Sequence, residues 1–283
     1  MHPEPLIQPP RIATPAPPAL IRAVEACNPA LGGLPWQPLT GGRSNRLWRV
    51  GAWVIKLYDA QAASPLFPND PQAEARALRL VAPHGLAPTL TAEGEGWLAY
   101  DHSPGAVWAG NPAPVAQALA RLHGLSCGDG FRVLPSGSRA LAAQARQIAA
   151  ACRAVLPPPP PDAAVPPLAA PRLIHGDAVP GNVIAGPQGV TLIDWQCPAL
   201  GDPAEDLAAF LSPAMQWLYR GAPLSPGQAA AFLAAYPDAA ILARYRALAP
   251  AFHWRMAAHC LWKAERGAAD YAAALQLELA ALG

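Results

Sequence analysis

Apolar and polar positions follow two rhythms along this chain, and the rhythm changes near residue 101. Between residues 39 and 58, aromatic and β-branched residues gather in short runs around glycines. Leu47-Trp48-Arg49-Val50 leads to a turn at Gly51, then to Trp53-Val54-Ile55-Lys56-Leu57-Tyr58. This pattern predicts an antiparallel hairpin. Residues 86–100 predict two more strands around Gly94-Glu95-Gly96. A short helix is expected over 18–26. A second is expected over 72–81, opened by Asp70 as N-cap with Pro71 at the first helical position. Beyond His102-Ser103-Pro104-Gly105 the spacing turns helical, with amphipathic helices expected over 115–125 and 139–156. Two short strands, 172–174 and 189–193, precede a stretch from 202 to 283 that reads as helices. The order predicts an α+β fold with a β-rich part over 1–101 and a mostly helical part over 102–283. Residues 1–18 are proline-rich and expected to be extended or frayed, and the proline run 157–161 reads as a stiff surface connection.

Composition narrows the class. Hydrophobic residues make up 52% of the 283 positions and charged residues 14%, which excludes global disorder. A net charge of +1 carries no nucleic-acid footprint. No apolar run is long enough for a membrane span, and the start lacks the basic and apolar regions of a signal peptide. Five scattered cysteines with no C-x-x-C pair argue against a disulfide framework or a zinc site. A cytoplasmic enzyme, with no membrane, nucleic-acid or obligate protein partner, is the expectation.

The strongest chemical signal is Leu173-Ile174-His175-Gly176-Asp177 with Asn182 five residues on, followed by Thr191-Leu192-Ile193-Asp194-Trp195. Phosphoryl transfer to a hydroxyl needs a carboxylate to accept the hydroxyl proton and oxygen ligands to hold Mg²⁺ across the phosphates. Asp177 fits the base, and Asn182 and Asp194 fit the metal. Alone, H-G-D and I-D-W are ordinary turn sequences; the spacing to Asn182 and the strand before Asp194 favour the chemical reading.

The N-terminal half supplies the complement. Lys56 sits inside an apolar strand, where a buried ammonium requires a partner. It is one of two lysines in a chain that otherwise uses arginine, as if a compact point charge were needed there. Glu74, on the following helix, is its expected partner; the alternatives are an edge-strand Lys56 reaching solvent and a solvated Glu74. The turn Thr40-Gly41-Gly42-Arg43-Ser44-Asn45-Arg46 would cover the phosphates, with Gly41, Gly42, Ser44 and Asn45 as contacts through backbone N–H groups or side chains. Gly201-Asp202-Pro203 with Glu205 reads as a helix start, Asp202 being structural and Asp206 bracing the catalytic loop. Protein kinases carry a lysine two residues after the catalytic Asp; here Val179 stands there, and no A-P-E activation segment follows Asp194.

These motifs resemble those of the aminoglycoside phosphotransferase / choline kinase family. The likeness rests on His175-Gly176-Asp177 with Asn182, on Ile193-Asp194-Trp195, and on Gly201-Asp202-Pro203 with Asp206. Ala120-Arg121-Leu122-His123 and Leu39-Thr40-Gly41-Gly42 through Asn45-Arg46 add to it, so that it spans about residues 36–275. The resemblance implies a bilobal protein-kinase-like fold with ATP or GTP and Mg²⁺ between the lobes. It also implies that Asp177 is the base, that Asn182 and Asp194 are metal ligands, and that Tyr100-Asp101-His102-Ser103 form a hinge whose backbone pairs with the purine. His175 would give structural support. The acceptor is a small hydroxylated molecule. Scattered acids and several aromatics in the helical part, with Trp262-Lys263-Ala264-Glu265-Arg266-Gly267 and Asp270-Tyr271 resembling the tail of bacterial choline kinases, lean towards a choline-, ethanolamine- or thiamine-like amino-alcohol. Trp217, Tyr219, Trp254, Trp262 and Tyr271 would then offer an aromatic cage for the cation, with Trp217, Trp254 and Trp262 as the chosen contacts, the alternative being core packing. An aminoglycoside or sugar kinase, and a non-catalytic binding or immunity protein, are the competing functions.

Overall fold

The computed structural model describes residues 14–39 and 43–282. The N-terminal part opens with α1 (Pro18–Cys27), then β1 (Gln37–Leu39), β2 (Arg46–Val50) and β3 (Trp53–Leu57). After α2 (Pro71–Val81) come β4 (Leu90–Gly94) and β5 (Trp97–Asp101). The five strands form one antiparallel sheet in the order β1-β2-β3-β5-β4. Lys56 lies opposite Leu47 on one side and Leu98 on the other, so its strand is central and the edge-strand reading fails. Helix α2 starts as expected, with the Asp70 carboxylate accepting from the Gln72 and Ala73 amides at 2.9 and 3.0 Å.

Beyond residue 101 the chain gives β6 (Ala106–Val107), α3 (Ala113–His123), α4 (Ser138–Ala150), β7 (Arg172–Ile174), β8 (Val183–Gly186), β9 (Gly189–Leu192) and β10 (Ala199–Gly201). Five helices follow: α5 (Ala204–Leu211), α6 (Pro213–Arg220), α7 (Pro226–Ala235), α8 (Ala239–Ala264) and α9 (Asp270–Ala280). Two small antiparallel sheets, β10-β7 and β6-β8-β9, flank the segment that carries Asp177 and Asn182. One hydrophobic core joins both parts, running from Val54, Leu78 and Tyr100 through Leu119 to Leu173, Trp195 and Phe210.

Helix α4 stops six residues short of the expected end at 156. The carboxylate of Glu265 captures the Arg153 and Ala154 amides at 2.8–2.9 Å, drawing the chain out of helical register ahead of the prolines. The helix start at Asp202 also differs. Its Oδ1 accepts from Ala204 and its other oxygen is gripped by Arg244 at 2.6 Å. Glu205 closes no capping box and instead takes both ends of the Arg255 guanidinium. Asp202 is thus structural, as expected, by a route the sequence pattern does not specify. The five cysteines are all free, and among the described residues no helix is long and apolar enough to cross a membrane.

Candidate active site

His175 joins the two motifs that the sequence separates. Its Nδ1 accepts the Asp177 amide at 3.2 Å and its Nε2 donates to the Ile193 carbonyl at 3.0 Å, so the ring is neutral with its proton on Nε2. Burial, which lowers its pKa, favours the same state. The imidazole also packs on Trp195, with ring centres 4.4 Å apart. Behind it, Asp206 accepts from the His175 and Gly176 amides, both at 2.8 Å, and from His123 Nε2 at 3.0 Å. Although Asp206 is fully buried, these donors hold its carboxyl below the ordinary carboxylate range. Only glycine fits position 176. Its φ is +78°, and a Cβ there would lie 2.1 Å from the Cys197 carbonyl oxygen.

Asp177 is 8% exposed. Burial first, and the negative charge of Asp194 second, raise its carboxyl to about 8. A carboxyl in that range is matched to proton transfer near neutral pH. Asn182 donates to the Asp177 carbonyl at 2.9 Å and to its carboxylate at 3.2 Å. This spends the amide nitrogen of Asn182 and leaves its oxygen as a ligand donor. Asp194 adopts φ +63°, a left-handed conformation that is costly for a residue with a Cβ and that concentrates at functional sites.

That conformation accompanies an ion pair between Asp194 and Lys56, whose ammonium also bonds Glu74 Oε2 at 2.5 Å. Lys56 and Glu74 have no solvent exposure. Desolvation works against the ammonium, but Asp194 and Glu74 outweigh it and keep Lys56 charged. Glu74 is itself anchored: Oε1 accepts the Trp195 amide at 3.2 Å, and Oε2 also accepts the Tyr58 hydroxyl. The expected pair is therefore formed, with Tyr58 as a partner that the sequence did not reveal. Asn182 and Asp194 together offer oxygen donors only, which suits a hard divalent cation. Among the described residues no three His, Cys, Asp or Glu side chains form a cage of their own.

Other expected contacts are redistributed. Gly41 and Gly42 lie outside the described residues. Asn45 is committed elsewhere: its Nδ2 donates to Asn69 and Gln196, both at 2.8 Å, and its Oδ1 accepts from Asn69 at 2.9 Å and Asp59 at 3.0 Å. With two donors and two lone pairs used, its side chain has nothing left for a phosphate. It instead ties the turn before β2 to the segment following Asp194. Ser44 stands beside it, half-buried. In the hinge, Tyr100 is buried opposite Val54, the Asp101 amide goes to Thr89 and the His102 amide to Ala52. Those two amides are thereby occupied by the chain itself.

Of the five expected aromatics, the three tryptophans do not come together. Trp254 is buried with its indole donating to the Pro157 carbonyl at 3.0 Å, packed against the proline segment. Trp262 stacks on His259 beneath Arg266, and Trp217 packs in the cluster containing Val179 and Tyr271. The two expected tyrosines do meet near Asp177: Tyr219 of α6 and Tyr271 of α9. Tyr219 lies against Gly181, where a Cβ would fall 2.2 Å from its ring. Burial, and next for Tyr219 the charge of Asp177, push both hydroxyls up; Arg43 opposes this in each case. The two rings hold the Arg43 guanidinium, whose central carbon is 5.3 and 5.4 Å from their centres, and Asp270 pairs with it at 2.6 Å. The Asp-Tyr pair at 270–271 was legible in the sequence; its meeting with residues 43 and 219 was not.

The sequence profile of the phosphotransferase enzyme family matches residues 35–250, well over half of the chain. The chain belongs to this family. No functionally curated protein matches it in sequence. Family kinship agrees with the fold, which is similar to a choline/ethanolamine kinase family protein from Mesorhizobium loti, with TM-score 0.62, 20% identity, and 93% of this chain and 92% of that one covered. It is similar also to choline kinase LicA from Streptococcus pneumoniae, with TM-score 0.59, 16% identity and coverage of 93% and 99%. The aminoglycoside phosphotransferase APH(2")-IIa, in its streptomycin–ATP ternary complex, gives TM-score 0.63 at 11% identity, with coverage of 94% and 97%. The fold is thus the bilobal one of these kinases, as the sequence motifs implied.

Proposed function

We propose that this phosphotransferase moves the γ-phosphate of ATP or GTP to the hydroxyl of a small, singly cationic amino-alcohol of the choline, ethanolamine or thiamine type. The observation that carries the acceptor is the Tyr219–Tyr271–Asp270 box, which holds a cation beside Asp177. Two aromatic faces and one carboxylate suit one ammonium group.

In this reading Asp177 takes the proton as the acceptor oxygen bonds to the γ-phosphorus, and the bond from that phosphorus to the β,γ-bridging oxygen breaks to release the diphosphate. Lys56, fixed between Glu74 and Asp194, supplies a charge for the nucleotide phosphates. Mg²⁺, held by Asn182 and Asp194, would neutralise charge on those phosphates when bound. The purine would pair with the hinge carbonyls and Ser103, and Ser44 would contribute to the phosphate turn.

An aminoglycoside acceptor, suggested by the likeness to APH(2")-IIa, would bring several ammonium groups and require several available acids. After residue 201 every acid is engaged, and only Asp270, through its exchangeable pair with Arg43, belongs to the box. Asp202 pairs with Arg244, Glu205 with Arg255, Asp206 with His123, Asp238 with Arg172 and Asp270 with Arg43, while Glu265 holds backbone amides and Glu278 holds Ser212 and His253. The test is nucleotide consumption over choline, ethanolamine, thiamine, amino sugars and aminoglycosides. Turnover is expected with an amino-alcohol. Turnover confined to aminoglycosides refutes the acceptor, and nucleotide binding without consumption across the panel favours a non-catalytic role.

A further inference from the structure

Arg43 belongs to the sheet side of the molecule, three residues before β2, yet its side chain ends on the helical side. Nη1 donates to Asp270 at 2.6 Å and Nη2 to the Leu218 carbonyl at 3.1 Å, between the rings of Tyr219 and Tyr271. The Leu218 carbonyl lies in the last turn of α6, where unpaired carbonyls and the helix dipole favour positive charge. Each of these partners recognises a small cation; none reads the planar fork peculiar to arginine. The contrast lies nearby. Arg255 grips Glu205 with both terminal nitrogens on both oxygens, and Arg244 gives Asp202 two donors. Those are structural arginines held by bidentate or paired bonds. Arg43 touches its carboxylate through one nitrogen, and its side chain keeps 22% exposure, against 9% and 16% for the other two.

Resting on the amino-alcohol reading, we infer that Arg43 is a resident surrogate for the acceptor's cationic group. It fills the box when no acceptor is bound, and the acceptor must displace it. While it is seated, Arg43 and Ser44 are latched across the cleft onto α6 and α9, whereas Asn45 is held separately by Asn69 and Gln196. A ligand without a positive charge leaves the latch closed, because a ligand shifts such an equilibrium only through its differential affinity. The latch therefore selects for cations and couples their arrival to release of Arg43 and Ser44. If Arg43 occupies the box about nine-tenths of the time, it weakens acceptor binding roughly tenfold.

The test titrates choline, ethanolamine and thiamine calorimetrically into the full chain and into Arg43→Ala and Arg43→Gln, and measures amide hydrogen exchange at Ser44. Both variants are expected to bind choline roughly tenfold more tightly and to exchange faster at that amide. Saturating choline should raise exchange there in the wild type, a result that needs no variant. Equal or weaker choline binding in both variants, or choline-induced protection of the turn, overturns the inference while leaving the acceptor reading standing. No binding of choline, ethanolamine or thiamine to any of the three proteins removes the acceptor reading and this inference with it.

Discussion

The segment carrying Asp177 and the box around Arg43 are built on opposite principles. Around Asp177 the polar groups are buried and multiply bonded: His175 serves two partners, Asp206 three donors and Glu74 three. Most of these partners lie within about 30 positions of one another, as Asp206 does from His175 and Gly176. The box instead brings together residues 227 positions apart in Arg43 and Asp270, and 175 apart in Arg43 and Leu218. Its cation is held by single bonds and ring faces. Groups aimed at developing charge gain most from being fixed in advance, whereas a site that must admit and release a ligand gains from contacts that can be exchanged.

The comparison breaks first if the rigid side carries no chemistry. Asp177→Asn should lower kcat about 10³–10⁴-fold with whichever acceptor is turned over. The thermal midpoint should be unchanged or higher, since the substitution removes a carboxyl that burial already disfavours as an anion. Turnover and a melting curve on the same preparation check both parts. A loss of less than tenfold would remove Asp177 from the proton-transfer role.

Asp206 tests whether the rigid side is held from behind. Asp206→Asn replaces an acceptor of three donors with a group that is half donor, and should cost about 2–4 kcal/mol of unfolding free energy. Because the folded carboxyl is held below its ordinary range, its contribution is present above the unfolded carboxylate pKa and is lost on acidification through the folded value. Urea titrations at neutral pH measure the cost. A change below about 0.5 kcal/mol, the scale of ordinary surface substitutions, would show that the loop does not depend on this anchor.

What could be read from the sequence follows the same division. His175, Asp177, Asn182 and Asp194 lie within one short stretch, so spacing alone exposes them. Lys56 was legible because an ammonium inside an apolar strand has few explanations, and Glu74 because it is the one acid of the helix that follows. The Asn45 side chain is the exception: its partners Asn69 and Gln196 come from two other segments, and no local pattern announces the closed amide cluster that occupies it. Five aromatics of the helical part were candidates for a cage by size and chemistry. Which of them face the Asp177 loop is set by tertiary packing, which brings Tyr219 and Tyr271 there and leaves the three tryptophans apart.

A smaller effect should appear where the two regions touch. The Tyr219 ring occupies the space a side chain at position 181 would need, so Gly181→Ala must move the ring off the catalytic loop. The acceptor KM should rise about tenfold, roughly 1.4 kcal/mol, with the nucleotide KM unchanged. Initial-rate measurements varying each substrate in turn separate the two constants. A parallel rise in both would mean that the loop itself had shifted, and the two regions would not be separable at this contact.

The effect that is smallest near neutral pH concerns His259, which lies under the box against Phe67, Trp262 and Tyr271 with its Nδ1 unbonded among the described residues. Burial first, then Lys263 and Arg255, lower its pKa to about 3. The unfolded imidazole takes its proton near pH 6.5 while the folded one stays neutral. Its share of the stability is therefore complete above that pH and is lost as pH falls towards the folded value. The loss should be under about 1 kcal/mol at pH 6 and then grow by about 1.4 kcal/mol per pH unit. His259→Phe keeps an aromatic ring in the cluster and removes the titration. Its unfolding free energy should fall less steeply than the wild type's between pH 6.5 and 4.5, as urea titrations at several pH values would register. Equal slopes would show that the imidazole can be protonated without leaving its pocket. The floor of the box would then be as adjustable as its occupant, and the contrast with the catalytic loop would be sharper still.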